Sequence, residues 1–326
     1  MNNIDNIINY LNRSNDFIVT SHINPDGDNI GSTLSMYYFL KNLNKRVYYV
    51  LDDSSPLNLQ FLVNDINRIT SQEFKEMNIN DYNLITLDCG DKNRICLDDE
   101  IRFNCNKLIN IDHHESNDLY GDYYYVVKDA SSTCELVYNL LKRNEEINKV
   151  KIIDEKIATC LYTGLMTDTG KLTYSNTQAS SFDMAKNLLL AGADTQLVVQ
   201  SVFGSNPFNF YKLLGESLNS LEIINVKISI MSVTQDMLKR TGVDFKDIDG
   251  VTPYARDIEN VEIGILLKEK GNNEIKVSLR SKSYANVSKI AKVFGGGGHI
   301  RAAGCTIYDT IENAKERIIQ EALKEI

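Results

Sequence analysis

The sequence predicts an α/β protein in which an N-terminal doubly wound parallel-sheet domain is followed by a smaller C-terminal α/β domain with a mixed sheet. Three observations carry that expectation. Over about the first 190 residues, short apolar runs alternate with amphipathic stretches, the pattern of parallel strands joined by crossover helices. Several of these runs end on His or Asp instead of ordinary turn residues. Beyond residue 220 the pattern becomes strand-rich and closes on four successive glycines, 295–298. At 326 residues the chain is long for one core. The expected division is 1–190, a helical linker over 191–220, and 221–326.

Taken in order, residues 2–14 place Ile4, Ile7, Ile8 and Leu11 on one helical face, ahead of a strand at 17–20. The segment S-H-I-N-P-D-G-D-N-I-G-S, 21–32, crowds His22, Asp26 and Asp28 into a Pro/Gly turn that opens a helix at 30–43. A strand at 47–51 and a helix near 57–63 follow. The strand at 83–87 runs into Asp88, and the strand at 108–111 runs into Asp112, His113 and His114. A strand at 123–127 leads to Ser132 and Glu135, which have capping-box spacing before a helix that buries Leu136, Val137, Leu140 and Leu141. The amides of such a helix start also suit a phosphate.

A helix from about 155 carries Ile157, Leu161 and Leu165 on one face, and Asp168 continues that face into packed surroundings. A carboxylate at the negative end of a helix dipole calls for a compensating cation. Helices at 178–190, 194–202 and 206–221 lead to the second domain. There, strands are expected at 222–233, 261–268, 274–281 and 303–308, with a helix at 287–294. Glycines set between a helix and a strand, with no Ser-rich flank, suit close backbone approach to a ligand.

Composition narrows the function. A net charge of −9 argues against a protein that coats long nucleic acid. Yet residues 276–301 carry Lys276, Arg280, Lys282, Lys289, Lys292 and Arg301 without one acid, which suits a locally held phosphate. The N-terminus has neither a basic start nor a continuous apolar run, so no signal peptide is expected. No apolar run reaches 18 residues, so no membrane span is expected either. Six cysteines without C-x-x-C or disulfide-framework spacing read as reduced thiols, and the cytoplasm is the expected compartment.

Only four histidines occur, and all four fall in the motif segments: His22, His113, His114 and His299. In a doubly wound sheet, ligands bind beyond the carboxyl ends of the strands. His22, Asp88 and His113 are delivered to that edge from strand ends, Asp26 and Asp28 from the first loop, and Asp168 from a helix end. Six such groups are too many for one catalytic ion, and Asp88 is placed to bridge two. Four carboxylates carry four negative charges, which two divalent cations cancel and which otherwise repel. Oxygen-rich ligation with a few imidazoles suits Mn²⁺ or Mg²⁺, with Co²⁺ left open. Paired ions point to hydrolysis of a phosphoester.

The set His22, Asp26, Asp28, then Asp88, then Asp112-His113-His114, then Asp168, resembles the four motifs of the DHH phosphoesterase superfamily. The glycine run, His299 and R-A-A-G (301–304) resemble the DHHA1 substrate domain, so the likeness spans about 21–304. The two-domain whole is similar to the stand-alone NrnA-like nanoRNase/pAp phosphatases and to cyclic-di-AMP phosphodiesterases. The resemblance implies that His22 and Asp26 hold one metal, that Asp28, His113 and Asp168 hold the other, and that Asp88 bridges. It implies that His114 touches the scissile phosphate while Asp112 orients a ligand or buttresses the loop. It also implies that Gly296, Gly297, Gly298 and His299 receive the nucleotide, with Arg280 and Arg301 on its non-scissile phosphate. Arg94, six residues past Asp88, reads as a surface charge before a phosphate contact.

The expected activity is hydrolysis of very short oligoribonucleotides such as a di-adenylate, and of adenosine 3′,5′-bisphosphate (pAp). The second domain would limit substrate length. Cyclic-di-AMP hydrolysis shares the metal site, and from a different class a nucleotide sensor with a vestigial site remains as the rival. Pairing into a homodimer is left open by the sequence.

Overall fold

A computed structural model of the chain describes residues 4–271 and 273–326, side chains 247 and 249 excepted. It divides into two compact units, 1–205 and 206–326.

In the first unit the order is α1 (Ile4–Arg13), β1 (Asp16–Thr20), α2 (Gly27–Asn42), β2 (Arg46–Val50), α3 (Gln60–Val63), β3 (Arg68–Ile69) and α4 (Ser71–Glu76). Then come β4 (Asn83–Leu87), α5 (Asp99–Asn104), β5 (Leu108–Asp112) and β6 (Tyr123–Val126). Four helices complete it: α6 (Thr133–Asn148), α7 (Glu155–Asp168), α8 (Ala179–Leu190) and α9 (Thr195–Phe203). The six strands form one parallel sheet in the order β3-β2-β1-β4-β5-β6. β4 and β5 are buried almost throughout because both faces of the sheet are covered. One face packs Ile7 and Leu11 of α1, Leu34 and Phe39 of α2, Leu140 of α6 and Leu161 of α7. The other packs Phe74 of α4 and Ile101 of α5 against Ile18, Val50 and Leu84.

Winding reverses between β1 and β4, so the carboxyl ends of these two strands flank a crevice. α2 and α7 approach closely over it, and Gly164 is what allows this. A Cβ there would stand 2.2 Å from Cys134 Sγ and 2.7 Å from Asp28 Oδ1.

The second unit runs α10 (Phe208–Asn219), β7 (Glu222–Ile224), β8 (Ile228–Val233), α11 (Gln235–Thr241), α12 (Thr252–Arg256) and β9 (Ile263–Gly271). It ends with β10 (Glu274–Ser281), α13 (Val287–Val293), β11 (Gly297–His299), β12 (Ala302–Tyr308) and α14 (Ile311–Ala322). Its sheet, β11-β12-β10-β9-β8-β7, is mixed, with β8–β9 the parallel pair. One face is covered by α13 and α14 through Val287, Ile290, Ala314 and Ile318. The opposite face of β8 and β9 packs Leu213 of α10 and Ala255 of α12.

Several expectations shift. The strand expected over 222–233 is a hairpin of β7 and β8, turned by Asn225 and Val226 at φ 48° and 62°; a β-branched Val in that conformation conceals the turn from a sequence reading. Helices α9 and α10, grouped in the sequence as a connection, belong one to each unit. Glu135 does not close a capping box with Ser132. Ser132 Oγ accepts from Glu135 N, but the Glu135 carboxylate takes Ser131 N at 2.8 Å and Ser131 Oγ at 2.6 Å. Among the described residues no helix is long and apolar enough to cross a membrane.

Candidate active site

β1 delivers His22 two residues past its end, where it bridges to Ile95. The turn that follows is fixed by Asn29, buried in α2, whose side chain accepts from Ser21 Oγ at 2.6 Å and donates to the His22 carbonyl at 3.1 Å. Asp26 caps α2 by accepting from Asn29 N at 3.0 Å, and Asp28 lies in its first turn. β4 ends at Leu87, and Asp88 turns with φ +53°, a left-handed conformation sparsely used outside glycine and typical of functional turns. β5 ends on Asp112, followed by His113 and His114. Asp168 is the last residue of α7.

The six expected metal ligands come together as two sets that meet at Asp88. Atoms of His22, Asp26 and Asp88 lie within 4.8 Å of one another, and so do atoms of Asp28, His113 and Asp168. Asp88 faces both sets: its Oδ2 is 3.4 Å from His22 Nε2, and its Oδ1 is 3.7 Å from His113 Nε2. His113 Nε2 is also 3.9 Å from Asp28 and 3.5 Å from Asp168. Such gaps exceed the usual N–H···O length and suit donors that share a cation. The opposite ring nitrogens are occupied, His22 Nδ1 on Ile23 O at 2.7 Å and His113 Nδ1 on Ala130 O at 3.2 Å, which turns both Nε2 atoms towards the acids.

Electrostatics fit that donor set. Burial, then the charges of Asp88 and Asp168, push the Asp28 carboxyl well above its ordinary range, the strain a cation relieves. Burial disfavours a charged ring at His22, but Asp88 and Asp26 overcome it and lift its pKa to about 9. Asp88 is itself held low: burial opposes its charge, and His22, His114 and His113 outweigh burial. Asp168 was expected among packed surroundings, yet its side chain is 31% exposed.

His114 forms a third candidate group with Asp88 and His113, and it is also tied to Asp112. Its Nδ1 lies 2.7 Å from Asp112 Oδ1, and Asp112, fully buried, also accepts from Asn117 Nδ2 at 2.6 Å. Burial works against a charged His114, but Asp112 and then Asp88 raise its pKa to about 9. Asp112 thus orients His114 and stands outside the two ligand sets.

Sequence reasoning missed the start of α6. Its amides are taken by an internal anion, not by phosphate: Thr133 N and Cys134 N donate to Asp28 at 2.6 and 2.9 Å, while Thr133 Oγ1 donates to Asp88 Oδ1 at 2.9 Å. The S-S-T-C run signals a helix cap but not the partner, which lies 105 residues away.

The remaining expected site residues lie in the second unit. Arg280, Ala302 and His299 are direct neighbours across β10, β12 and β11, so they share one face. Gly297 pairs with Gly304 on the same face, and a Cβ on Gly297 would meet nothing within 4 Å. Gly296 and Gly298 have a different reason. Added Cβ atoms would stand 2.2 Å from Gly304 O and 2.5 Å from Ala302 O, so both glycines allow close approach to β12. Arg301 is turned to structure, its Nη1 donating to Ala285 O at 2.8 Å.

Comparison with known proteins agrees with these two units. Residues 16–165 match the DHH family N-terminal domain and residues 225–326 match the DHHA1 domain. The chain is 29% identical to the bifunctional oligoribonuclease and PAP phosphatase NrnA of Thermus thermophilus, over 94% of this chain and 89% of that protein. It is 28% identical to the cyclic-di-AMP phosphodiesterase PdeA of Listeria monocytogenes, over 95% of this chain and 47% of that protein. An exopolyphosphatase-related protein from Bacteroides fragilis superposes with a TM-score of 0.89 at 26% identity, over 98% of this chain and 95% of that one.

Proposed function

We propose, from the premise that this chain belongs to the DHH/DHHA1 phosphoesterase family, that it hydrolyses short oligoribonucleotides to mononucleotides and adenosine 3′,5′-bisphosphate to AMP. The observation that carries the reading is Asp88, whose two oxygens face two separate sets of His and Asp ligands. His22 and Asp26 on one side, and Asp28, His113 and Asp168 on the other, would hold two divalent cations, Mn²⁺ foremost, sharing Asp88. When bound, such a pair neutralises the acids and the phosphate and activates water for in-line attack at phosphorus.

The chain's own residues supply the rest. Thr133 keeps Asp88 oriented, and the α6 amides keep Asp28 in place. Oriented by Asp112, His114 lines the cavity beside Asp88 and would donate a hydrogen bond to the phosphate ester. In the second unit Arg280, His299 and the open backbone at Gly297 would receive the nucleotide and its other phosphate. The NrnA relatives at up to 29% identity, matched over nearly their whole length, support this substrate class. Likeness to PdeA, of which the chain spans about half, supports cyclic-di-AMP hydrolysis as the alternative reading.

The test is a panel of di-adenylate, pAp, cyclic-di-AMP and a 20-mer RNA with Mn²⁺, Mg²⁺ or Co²⁺. Release of mononucleotide from di-adenylate and of phosphate from pAp is expected; preference for the 20-mer would sink the reading. Nucleotide binding without turnover would return the protein to the sensor class.

A further inference from the structure

Arg94 is exposed, yet it stands beside the candidate metal ligands. A cavity of about 190 Å³ opens beside the metal cluster, and its wall includes His22, Asp88, Gly90, Arg94, His114 and Ser116. The Arg94 backbone is fastened to the turn that sets His22: Ile23 N donates to Arg94 O at 2.8 Å, Cys96 N donates to Ser21 O at 2.8 Å, and His22 bridges to Ile95. Its side chain is exposed, and among the described residues it forms no ion pair although Asp88 and Asp91 line the same cavity. An arginine that leaves neighbouring acids unneutralised is disposed towards an anion arriving from solution.

We propose that Arg94 grips the reacting phosphate of the substrate in the cavity it shares with His114. A guanidinium presents two parallel donors to two phosphate oxygens and keeps its charge at any working pH. A phosphomonoester has three unesterified oxygens and nearly two charges, whereas a diester has two oxygens and one charge. Arg94 therefore contributes more to the monoester of a 3′-phosphorylated nucleotide than to an internucleotide bond. The inference rests on the phosphoesterase reading above.

The experiment compares metal-loaded wild type, Arg94→Ala and Arg94→Lys. Calorimetry with inorganic phosphate reads the grip without turnover, kinetics on pAp and di-adenylate read it in catalysis, and metal content and Tm are measured for each form. Arg94→Ala is expected to keep its metal and its Tm and to bind phosphate about 10- to 100-fold more weakly, the effect of one charge-assisted contact. It should lose more kcat/KM on pAp than on di-adenylate, and Arg94→Lys should recover part of the loss. Unchanged phosphate binding and turnover, equal losses on both substrates, absence of phosphate binding by wild type, or a loss accompanied by missing metal or lowered Tm would each overturn the proposal. If wild type hydrolyses neither substrate but Arg94→Ala still loses phosphate affinity, the proposed reaction falls and the grip stands.

Discussion

The two units treat charge in opposite ways. In the first, Asp28, Asp88 and Asp112 are 2% exposed or less, and His22 and His113 are under a tenth exposed, fixed by helix amides, a hydroxyl, the Asn117 side-chain amide or a backbone carbonyl. In the second, His299 and Gly297 are exposed and Arg280 is half-buried on an open sheet face. Its buried acid, Glu262, serves the backbone, accepting from Ser283, Tyr284 and Ala285 amides at 2.8–3.0 Å. Burial fixes geometry at the cost of desolvation, which ions held by several ligands can offset. A flexible nucleotide gains less from such rigidity and can be held at an open face. Damage in the first unit should therefore appear in metal binding and kcat, and damage in the second in KM.

The strongest blow to that contrast would be Asp88→Asn. It should lower kcat on the order of 10³-fold and reduce bound metal, measured by elemental analysis. Retained metal with retained turnover would remove the reason to treat the two sets as one centre. Next, Thr133→Val takes away the hydroxyl that orients Asp88. Metal affinity should weaken roughly 10- to 100-fold, as for other supports of ligands, with KM at saturating metal little changed. In the second unit, Arg280→Ala should raise KM for pAp about tenfold or more while leaving metal affinity as in wild type; a fall confined to kcat would erase the contrast.

The smallest effect concerns pH. The folded pKa values of His22 and His114 are raised from 6.5 to about 9. Their contribution to stability in demetallated protein is therefore fully present below pH 6.5 and lost as pH rises through 9. Asp28, raised well above 3.8, acts in the same direction from lower pH upward. The Tm of demetallated protein should fall from pH 6.5 to 9, and Mn²⁺ should flatten that slope; scanning fluorimetry with and without chelator decides.

What could be read from the sequence follows from how local each signal is. β4 and β5 announce themselves as apolar runs ending on Asp88 and Asp112, and all six metal-ligand candidates sit at ends or turns of such elements. Thr133 was not readable, because its partner Asp88 is 45 residues away and only the sheet order brings them together. The settings of Arg94 and Arg301 were hidden for the same reason: one lines the cavity, the other donates to Ala285 O, and no local pattern separates them. β3, with two residues, and α12, with five, are too short to show a period. α14 does show one, in Ile311, Ala314, Ile318 and Ala322, and could have been read from it.

The amides that hold Asp28 also bear on how the enzyme comes into being. Asp28, held by the start of α6, and Asp26, which caps α2, have part of their bonding in place before any ion arrives. Demetallated protein is therefore expected to fold, less stably for the crowding of its acids, and scarcity of metal would leave a dormant reserve to be loaded later.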